Sequence, residues 1–575
     1  MTNREKAEAR ANKIDEAIIE TIQSGQSFRV EAGAGAGKTY SLKKVVDWLD
    51  QEKKTTFKKN GQNVACITYT NAAVDVISKR QSASSFIKPS TIHTFAWDMI
   101  RQFQSTLVSF VKELQLLPKK TDGSGELIDG SDIKRVSYML GVRYIDEGTL
   151  FLFHSDVIDL FVKLLDNVKF RRILSKRYPI ILIDEYQDSF RVIMDQFLKY
   201  FIDEGVGPQF GLFGDSWQTI YASQGACGLV ENDKIVVINK EVNFRSQEII
   251  VNALNQIRPD SPQISSSDDK DGKIIIITTN EYDSCRLQKG YYKGELEDVV
   301  LFTCIDNVIE KLEHMWIGKT KKLMLTHKML AKQQGYAGIL DLLGDHFKNR
   351  DDEHFLFFQN KVEPVFEALL GNDSKKLFDV LGVERRPILS RRNKRQWREF
   401  KDKLLKARQE TIGTVLTTVV ESRLIGIPPK IEYWMNEAKK VGEDQLYNGK
   451  HINDFYDLQY SEMLNAIGFF KPEADFSTAH GVKGEQYDNV FLVIGRGWND
   501  YKFDEQLYLD PSALDEKDRK TYIRNRNLFY VCCSRPKKNL AILITVPINQ
   551  QFREYLERVF GTENITSYSD FVEVG

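Results

Sequence analysis

The sequence predicts an α/β protein with two parallel-sheet cores, each interrupted by a mainly helical insertion. Three observations carry this prediction. Apolar runs of strand length recur between helical patterns, the alternation expected of parallel sheets. Two long stretches, roughly 97–170 and 346–470, are largely helical and lack that alternation. The length of 575 residues exceeds what one hydrophobic core supports and, at about 150 residues per domain, suggests three or four domains. At 42% hydrophobic and 28% charged residues the composition is ordinary for a folded globular chain. No apolar run approaches the ~20 residues of a membrane span. The charged start, Met1-Thr2-Asn3-Arg4-Glu5-Lys6, opens a helical pattern rather than a signal peptide. Six cysteines are scattered apart from Cys532-Cys533, and none has metal-ligand spacing, so a reducing cytoplasm without structural zinc or disulfides is expected. With a net charge of −1, any nucleic-acid footprint must be local.

The first element is a strand that ends near Val30, followed by Ala32-Gly33-Ala34-Gly35-Ala36-Gly37-Lys38-Thr39 and a helix read from Ser41-Leu42-Lys43-Lys44-Val45-Val46. Three glycines between strand and helix let successive backbone N–H groups converge on one anion near the positive end of the helix. Lys38 would reach the β- and γ-phosphates of a nucleotide, and the Thr39 hydroxyl would ligate Mg²⁺. The strict pattern has Gly where Ala32 stands, which leaves the cradle geometry feasible. Next comes a buried-strand candidate, Asn63-Val64-Ala65-Cys66-Ile67-Thr68, and after the first helical stretch another, Ile180-Ile181-Leu182-Ile183. That strand runs into Asp184-Glu185, a pair with divided work in a phosphate-cradle ATPase. Asp184 would hold Mg²⁺ through its water shell, and Glu185 would orient and deprotonate the attacking water. A plain polar strand-to-helix turn is the alternative. Further strands are expected at Gln209–Phe213, Lys273–Ile277, Val490–Ile494 and Leu540–Ile544. Polar stretches at Lys119–Asp132 and Asp260–Gly272 read as exposed loops.

Seven short boxes in fixed order extend this reading. They are Thr68-Tyr69-Thr70-Asn71-Ala72-Ala73, Thr91-Ile92-His93-Thr94-Phe95, Asp184-Glu185-Tyr186-Gln187-Asp188, Gly214-Asp215-Ser216-Trp217-Gln218-Thr219-Ile220-Tyr221, Asn243-Phe244-Arg245-Ser246, Thr478-Ala479-His480-Gly481-Val482-Lys483-Gly484 and Leu528-Phe529-Tyr530-Val531-Cys532-Cys533-Ser534-Arg535. Together with the cradle, they make the chain resemble the superfamily 1A DNA helicases typified by UvrD, PcrA and Rep, in a compact form.

The resemblance implies two RecA-like P-loop domains. Residues 1–96 and 168–238 would form the ATP-binding core and 97–167 its insertion, the place of domain 1B. Residues 239–345 and 472–575 would form the second core and 346–471 the place of domain 2B. It also implies roles. Gln218 would hydrogen-bond the γ-phosphate or the attacking water. Arg245 and Arg535 would reach the γ-phosphate from the second core, because a guanidinium fits phosphate bidentately and stabilises transition-state charge. Together with Lys38 and Glu185 these make the catalytic set. Phe244 would stack on the adenine, Tyr40 would follow the cradle beside it, and Gln486 would approach the ribose. Tyr69 and Tyr221 match base-stacking positions, a contact worth ~1–3 kcal/mol per base, although core packing is an equal reading for each. Thr70, Asn71, His93 and Thr94 would line the phosphate–sugar track, and His480 and Lys483 would couple DNA to the ATP site.

Three departures stand out. No adenine-reading Gln lies near Ile14-Asp15-Glu16-Ala17. Ser223-Gln224 replace a Trp-Arg pair. Gln486 replaces a Glu. Between Arg385 and Arg408 eleven Lys/Arg face only Glu399 and Asp402, with Trp397 and Phe400 interleaved; this is either a grip on duplex phosphates or a solvated helix face. No nuclease carboxylate cluster is evident, so cleavage would belong to a partner. The expected function is an ATP-driven single-strand DNA translocase with 3′→5′ helicase activity in DNA repair or anti-phage defence. Compact helicases of this type accompany OLD-family nucleases in defence operons such as Gabija. The alternative is a DNA-end-sensing ATPase that regulates a partner nuclease and unwinds little.

Overall fold

In a computed structural model the chain folds as two sheet-centred lobes. The structure describes residues 2–68, 71–78, 85–117, 133–138, 143–220, 225–290, 293–325, 327–381, 391–422, 425–439, 446–447, 449–471, 473–495 and 502–573. Helix α1 (Asn3–Gln23) leads into β1 (Phe28–Ala32), helix α2 (Lys38–Glu52), β2 (Val64–Thr68) and β3 (Ile87–Thr91). An excursion holding β4 (Arg135–Tyr138), β5 (Tyr144–Asp146) and β6 (Thr149–Leu152) follows. The chain then returns through β7 (Ile180–Asp184), β8 (Gln209–Gly214) and β9 (Val236–Lys240). The front sheet runs β3-β2-β7-β8-β1-β9, all parallel.

Strand side chains alternate between faces, and each face builds its own core. Ala65, Ile67, Ile181, Ile183, Phe210 and Leu212 point to one side, Val64, Cys66, Ile180, Leu182 and Phe213 to the other. Burial on both faces explains why these strands read as unbroken apolar runs.

The rear lobe begins beyond a two-strand ladder of β10 (Val242–Asn243) and β11 (Ile264–Ser265). It contains β12 (Ile274–Thr278) and β13 (Thr320–Met324), a hairpin of β14 (Leu446–Tyr447) and β15 (Lys450–His451), then β16 (Phe476–Thr478), β17 (Tyr487–Ile494), β18 (Pro536–Ile544) and β19 (Ile565–Ser567). Its sheet order is β16-β13-β17-β18-β12-β19, again parallel throughout. Every strand expected from the sequence is present.

Each insertion packs onto its parent lobe through one continuous core. Leu107, Val111, Leu150 and Phe161 join the front-lobe cluster. Phe355, Phe366, Ile412 and Tyr460 join the rear-lobe one. The second insertion is mainly helical as expected. The first differs: it combines helices Gln104–Glu113 and His154–Leu165 with the three-stranded sheet β4-β6-β5. β4 and β5 are short and mix charged with aromatic residues, and the apolar run Leu150–Phe153 that holds β6 is only four residues long, so the sheet has no strong signal in the sequence. The loop expected at Asp260–Gly272 is irregular apart from β11, and Lys119–Asp132 lies outside the described residues.

Candidate active site

Parallel sheets present ligand sites at the carboxyl ends of their strands. In the front lobe the register puts three such ends side by side. Asp184 of β7 is level with Phe213 of β8, and Gly214 of β8 is level with Glu31 of β1. The glycine cradle, the Asp184-Glu185 pair and the Gly214–Ile220 segment therefore share one edge.

The cradle has the backbone its sequence requires. Gly35 and Gly37 both take a φ of +77°, and α2 starts at Lys38 immediately beyond. Ala32, Ala34 and Ala36 are buried, as is Gly33, while Thr39 faces outward. Lys38 is buried with its Nζ 3.5 Å from Glu185 Oε2. Glu185 itself sits in the left-handed region, φ +49°, an uncommon conformation for a residue with a side chain. Gln187 Nε2 donates to its carboxylate at 2.6 Å. Burial alone would raise the Glu185 carboxyl, but Lys38 and Lys483 outweigh it and hold the group ionised, below the usual range. Asp184 moves the other way, pushed up to about 7 by burial and by the charge of Glu185. Lys38 offsets this only in part, so a further cation beside Asp184 would favour its ionised form. Positive φ at two glycines, a buried lysine and this paired carboxylate fit a metal–triphosphate group.

The rear lobe closes over the cradle. Phe244 N–H donates to Gly35 O at 2.9 Å and Asn243 Nδ2 to Ala34 O at 3.0 Å, while Ala34 N–H donates to the Tyr530 hydroxyl at 3.1 Å. Arg245 donates to Ser534 O at 2.8 Å, and its Nε is buried without a hydrogen-bond partner. Burial and the neighbouring Arg535 push its guanidinium down to about 9, a cost that an arriving anion would relieve. Arg535, 1% exposed, donates to Gln218 Oε1 at 3.1 Å. Gln218 in turn donates from Nε2 to Asp215 at 2.7 Å. Lys38, Glu185, Gln218, Arg245 and Arg535 are thus brought to one crevice.

The flanking residues are placed as follows. Phe244 is 41% and Tyr40 59% exposed, and both approach Gly37. Gln486 is exposed just before β17. Lys483 reaches the front lobe, bonding Asp188 and, at 2.5 Å, Gln218 O. His480 is held neutral at about 4 by burial and by Arg524 and Lys483. Thr94 stands in the first turn of its helix, where its N–H donates to the Oγ1 of the N-cap residue Thr91. His93 packs edge-on against His154 and Phe190, and burial lowers it to about 4. Tyr69, Thr70, Tyr221 and Ser223-Gln224 lie outside the described residues, as do the side chains of Asn71, Trp397 and Phe400. Helix Arg391–Ala407 carries most of the basic run.

Sequence reading missed several members. Glu31, Tyr530, Asp188, Asn527 and Arg258 all hold parts of the crevice together. Tyr530 and Asp188 stood within recognised boxes; Glu31 and Arg258 carried no local signal.

A glycine cradle and two acids in front, with arginines entering from a second parallel sheet behind, define a protein of two RecA-like P-loop lobes, similar in plan to the UvrD-like superfamily 1 proteins. Residues 15–224 match the family model described as AAA domain. The chain is 22% identical to the Gabija protein GajB of Bacillus cereus strain HuB5-5, over 95% of this chain and 96% of that one. It is 25% identical to the Gabija protein GajB of strain VD045, over 93% and 96%. It is 23% identical to a "Probable DNA helicase II homolog" of Rickettsia conorii, over 89% of each. Among the described residues no helix is long and apolar enough to cross a membrane, and no group of three metal-ligating side chains occurs.

Proposed function

We propose that this chain is a Mg²⁺-dependent ATP hydrolase driven by single-stranded DNA, a 3′→5′ translocase and helicase that acts in the cytoplasm, in anti-phage defence or DNA repair. The observation that carries this reading is the placement of rear-lobe cations on the front-lobe cradle: Arg245 beside Gly35 and Arg535 on Gln218. Lys38 exchanges Glu185 for the β- and γ-phosphates, and Thr39 and Asp184 hold the metal. Bound Mg²⁺ neutralises phosphate charge. Glu185, fixed by Gln187, orients and deprotonates the attacking water. Gln218 senses the γ-phosphate, and Arg245 and Arg535 stabilise the charge that develops on it. Tyr40 and Phe244 flank the adenine, with Gln486 near the ribose. Because the donors come from both lobes, closure depends on nucleotide, and cycling moves DNA along Tyr69, Thr70, Asn71, His93, Thr94 and Tyr221, with His480 and Lys483 linking strand to nucleotide.

Relatives named as Gabija proteins support the defence setting, and with it the alternative of a DNA-end-sensing ATPase that controls a partner nuclease. ATPase assays with and without single-stranded DNA, followed by strand displacement on a 3′-tailed duplex, separate the two. DNA-stimulated turnover with displacement is expected; turnover without displacement selects the sensor. Lys38→Ala and Glu185→Gln should each abolish turnover, while the Gln variant still binds ATP. Full activity in Glu185→Gln would remove the proposed base.

A further inference from the structure

Arg258 follows the rear-lobe helix Glu248–Ile257, which packs on the rear sheet through Ile250, Leu254 and Ile257. Its side chain, 3% exposed, crosses to the front lobe and grips two acids. One nitrogen lies 2.6 Å from Asp215 Oδ1 and another 3.2 Å from Glu31 Oε1. The guanidinium also lies 5.5 Å from the Trp217 ring centroid and 5.8 Å from that of Tyr530. Glu31 sits in β1 one residue before the cradle. Its carboxylate also accepts from the Tyr186 hydroxyl and from Ser216 N–H and Oγ.

The orientation of Gln218 follows from this grip. Asp215 is fully buried. Its Oδ1 accepts from Arg258 and from Trp217 N–H, and its Oδ2 accepts from Gln218 Nε2. An ionised carboxylate only accepts, so the Gln218 amide must present its NH₂ to Asp215. Its carbonyl then points the other way and accepts from Arg535. A charge this deeply buried persists only beside a fixed opposite charge. Arg258 supplies that charge from the opposite lobe.

We propose that Arg258 is a positioning residue for the hydrolysis reaction: through Asp215 it fixes which face of the Gln218 amide meets Arg535, and so aligns the γ-phosphate sensor only when the lobes are together. This role rests on the ATPase reading above. It assigns Arg258 no contact with nucleotide.

The test is a double-variant cycle on the full chain. ATPase kinetics are measured for wild type, Arg258→Lys, Gln218→Ala and the combination, with the Kd of a fluorescent ATP analogue and thermal melting recorded for each. Lysine keeps the charge but lacks the two-pronged fork. Arg258→Lys is expected to lower kcat about tenfold or more and to leave the nucleotide Kd within about threefold. In the Gln218→Ala background the same change should lower kcat less than about twofold, because the path through Gln218 is already cut. Should lysine not fold, Arg258→Met, of similar length, is read by the same cycle. Equal losses in both backgrounds, or an unchanged kcat in the single variant, overturn the proposal. A wild type without ATP turnover overturns the ATPase reading itself, so the two failures are distinct.

Discussion

Gly35 shows how one residue serves two lobes. A Cβ there would lie 2.6 Å from Asn243 Oδ1 and 2.8 Å from Arg245 Cβ, on a backbone with a φ of +77°. At Gly37 the φ is the same, but the nearest neighbour would be 3.8 Å away. Gly37→Ala therefore incurs backbone strain alone, about 1–2 kcal/mol. Gly35→Ala adds a clash with the rear lobe, so melting should fall further and nucleotide Kd should rise more than in Gly37→Ala. Equal effects would show that the rear lobe does not rest on the cradle. Arg535→Ala should lower kcat about 10³-fold or more, the range of an arginine finger, with a smaller change in nucleotide Kd. Legibility in sequence splits along the same line. Lys38, Asp184 and Glu185 were readable because their chemistry sits in contiguous boxes. Glu31 and Arg258 are 227 positions apart, and neither has a neighbour that marks it. Their pairing exists only once both sheets have formed.

Among elements, the strands the sequence revealed are those buried on both faces. β3, Ile87-Lys88-Pro89-Ser90-Thr91, was not read because it is an edge strand, where proline and polar residues are tolerated. β13 carries Lys321 and Lys322 inside a sheet. Their ammonium groups escape to Ala474 O at 2.5 Å and Glu313 Oε1 at 2.6 Å. The second insertion holds a buried network that sequence could not locate. His354 bonds Tyr447 at 2.9 Å and Tyr456 at 3.0 Å, and Tyr447 donates to Asp352. Because the Tyr447 proton goes to Asp352, His354 Nδ1 donates to Tyr447 and Nε2 accepts from Tyr456, which requires a neutral ring. Burial first of all lowers its pKa from 6.5 to about 4. The sign follows: the unfolded chain takes up a proton below pH 6.5 while the folded one does not until about 4, so stability is lost as pH falls through that window. The full loss is on the order of 3 kcal/mol. Thermal melts of His354→Gln should start lower at neutral pH and fall less steeply on acidification. An unchanged slope would show that His354 is not buried neutral.

At the scale of the molecule, the two halves meet through charge as well as shape. Lys483 with Asp188, Arg258 with Asp215 and Glu31, and Asn527 with Thr219 all cross the crevice. Apolar contacts cross it too, since Ala34 and Ile220 of the front lobe lie in the rear lobe's core cluster. A two-lobed plan with paired insertions was legible from alternating runs and box order. How tightly the lobes bind each other was not, because interfaces have no periodicity of their own. That shared apolar seam has a calorimetric consequence. Neither half can expose its interior on heating without stripping cover from the other, so the chain should melt in a single endotherm rather than two.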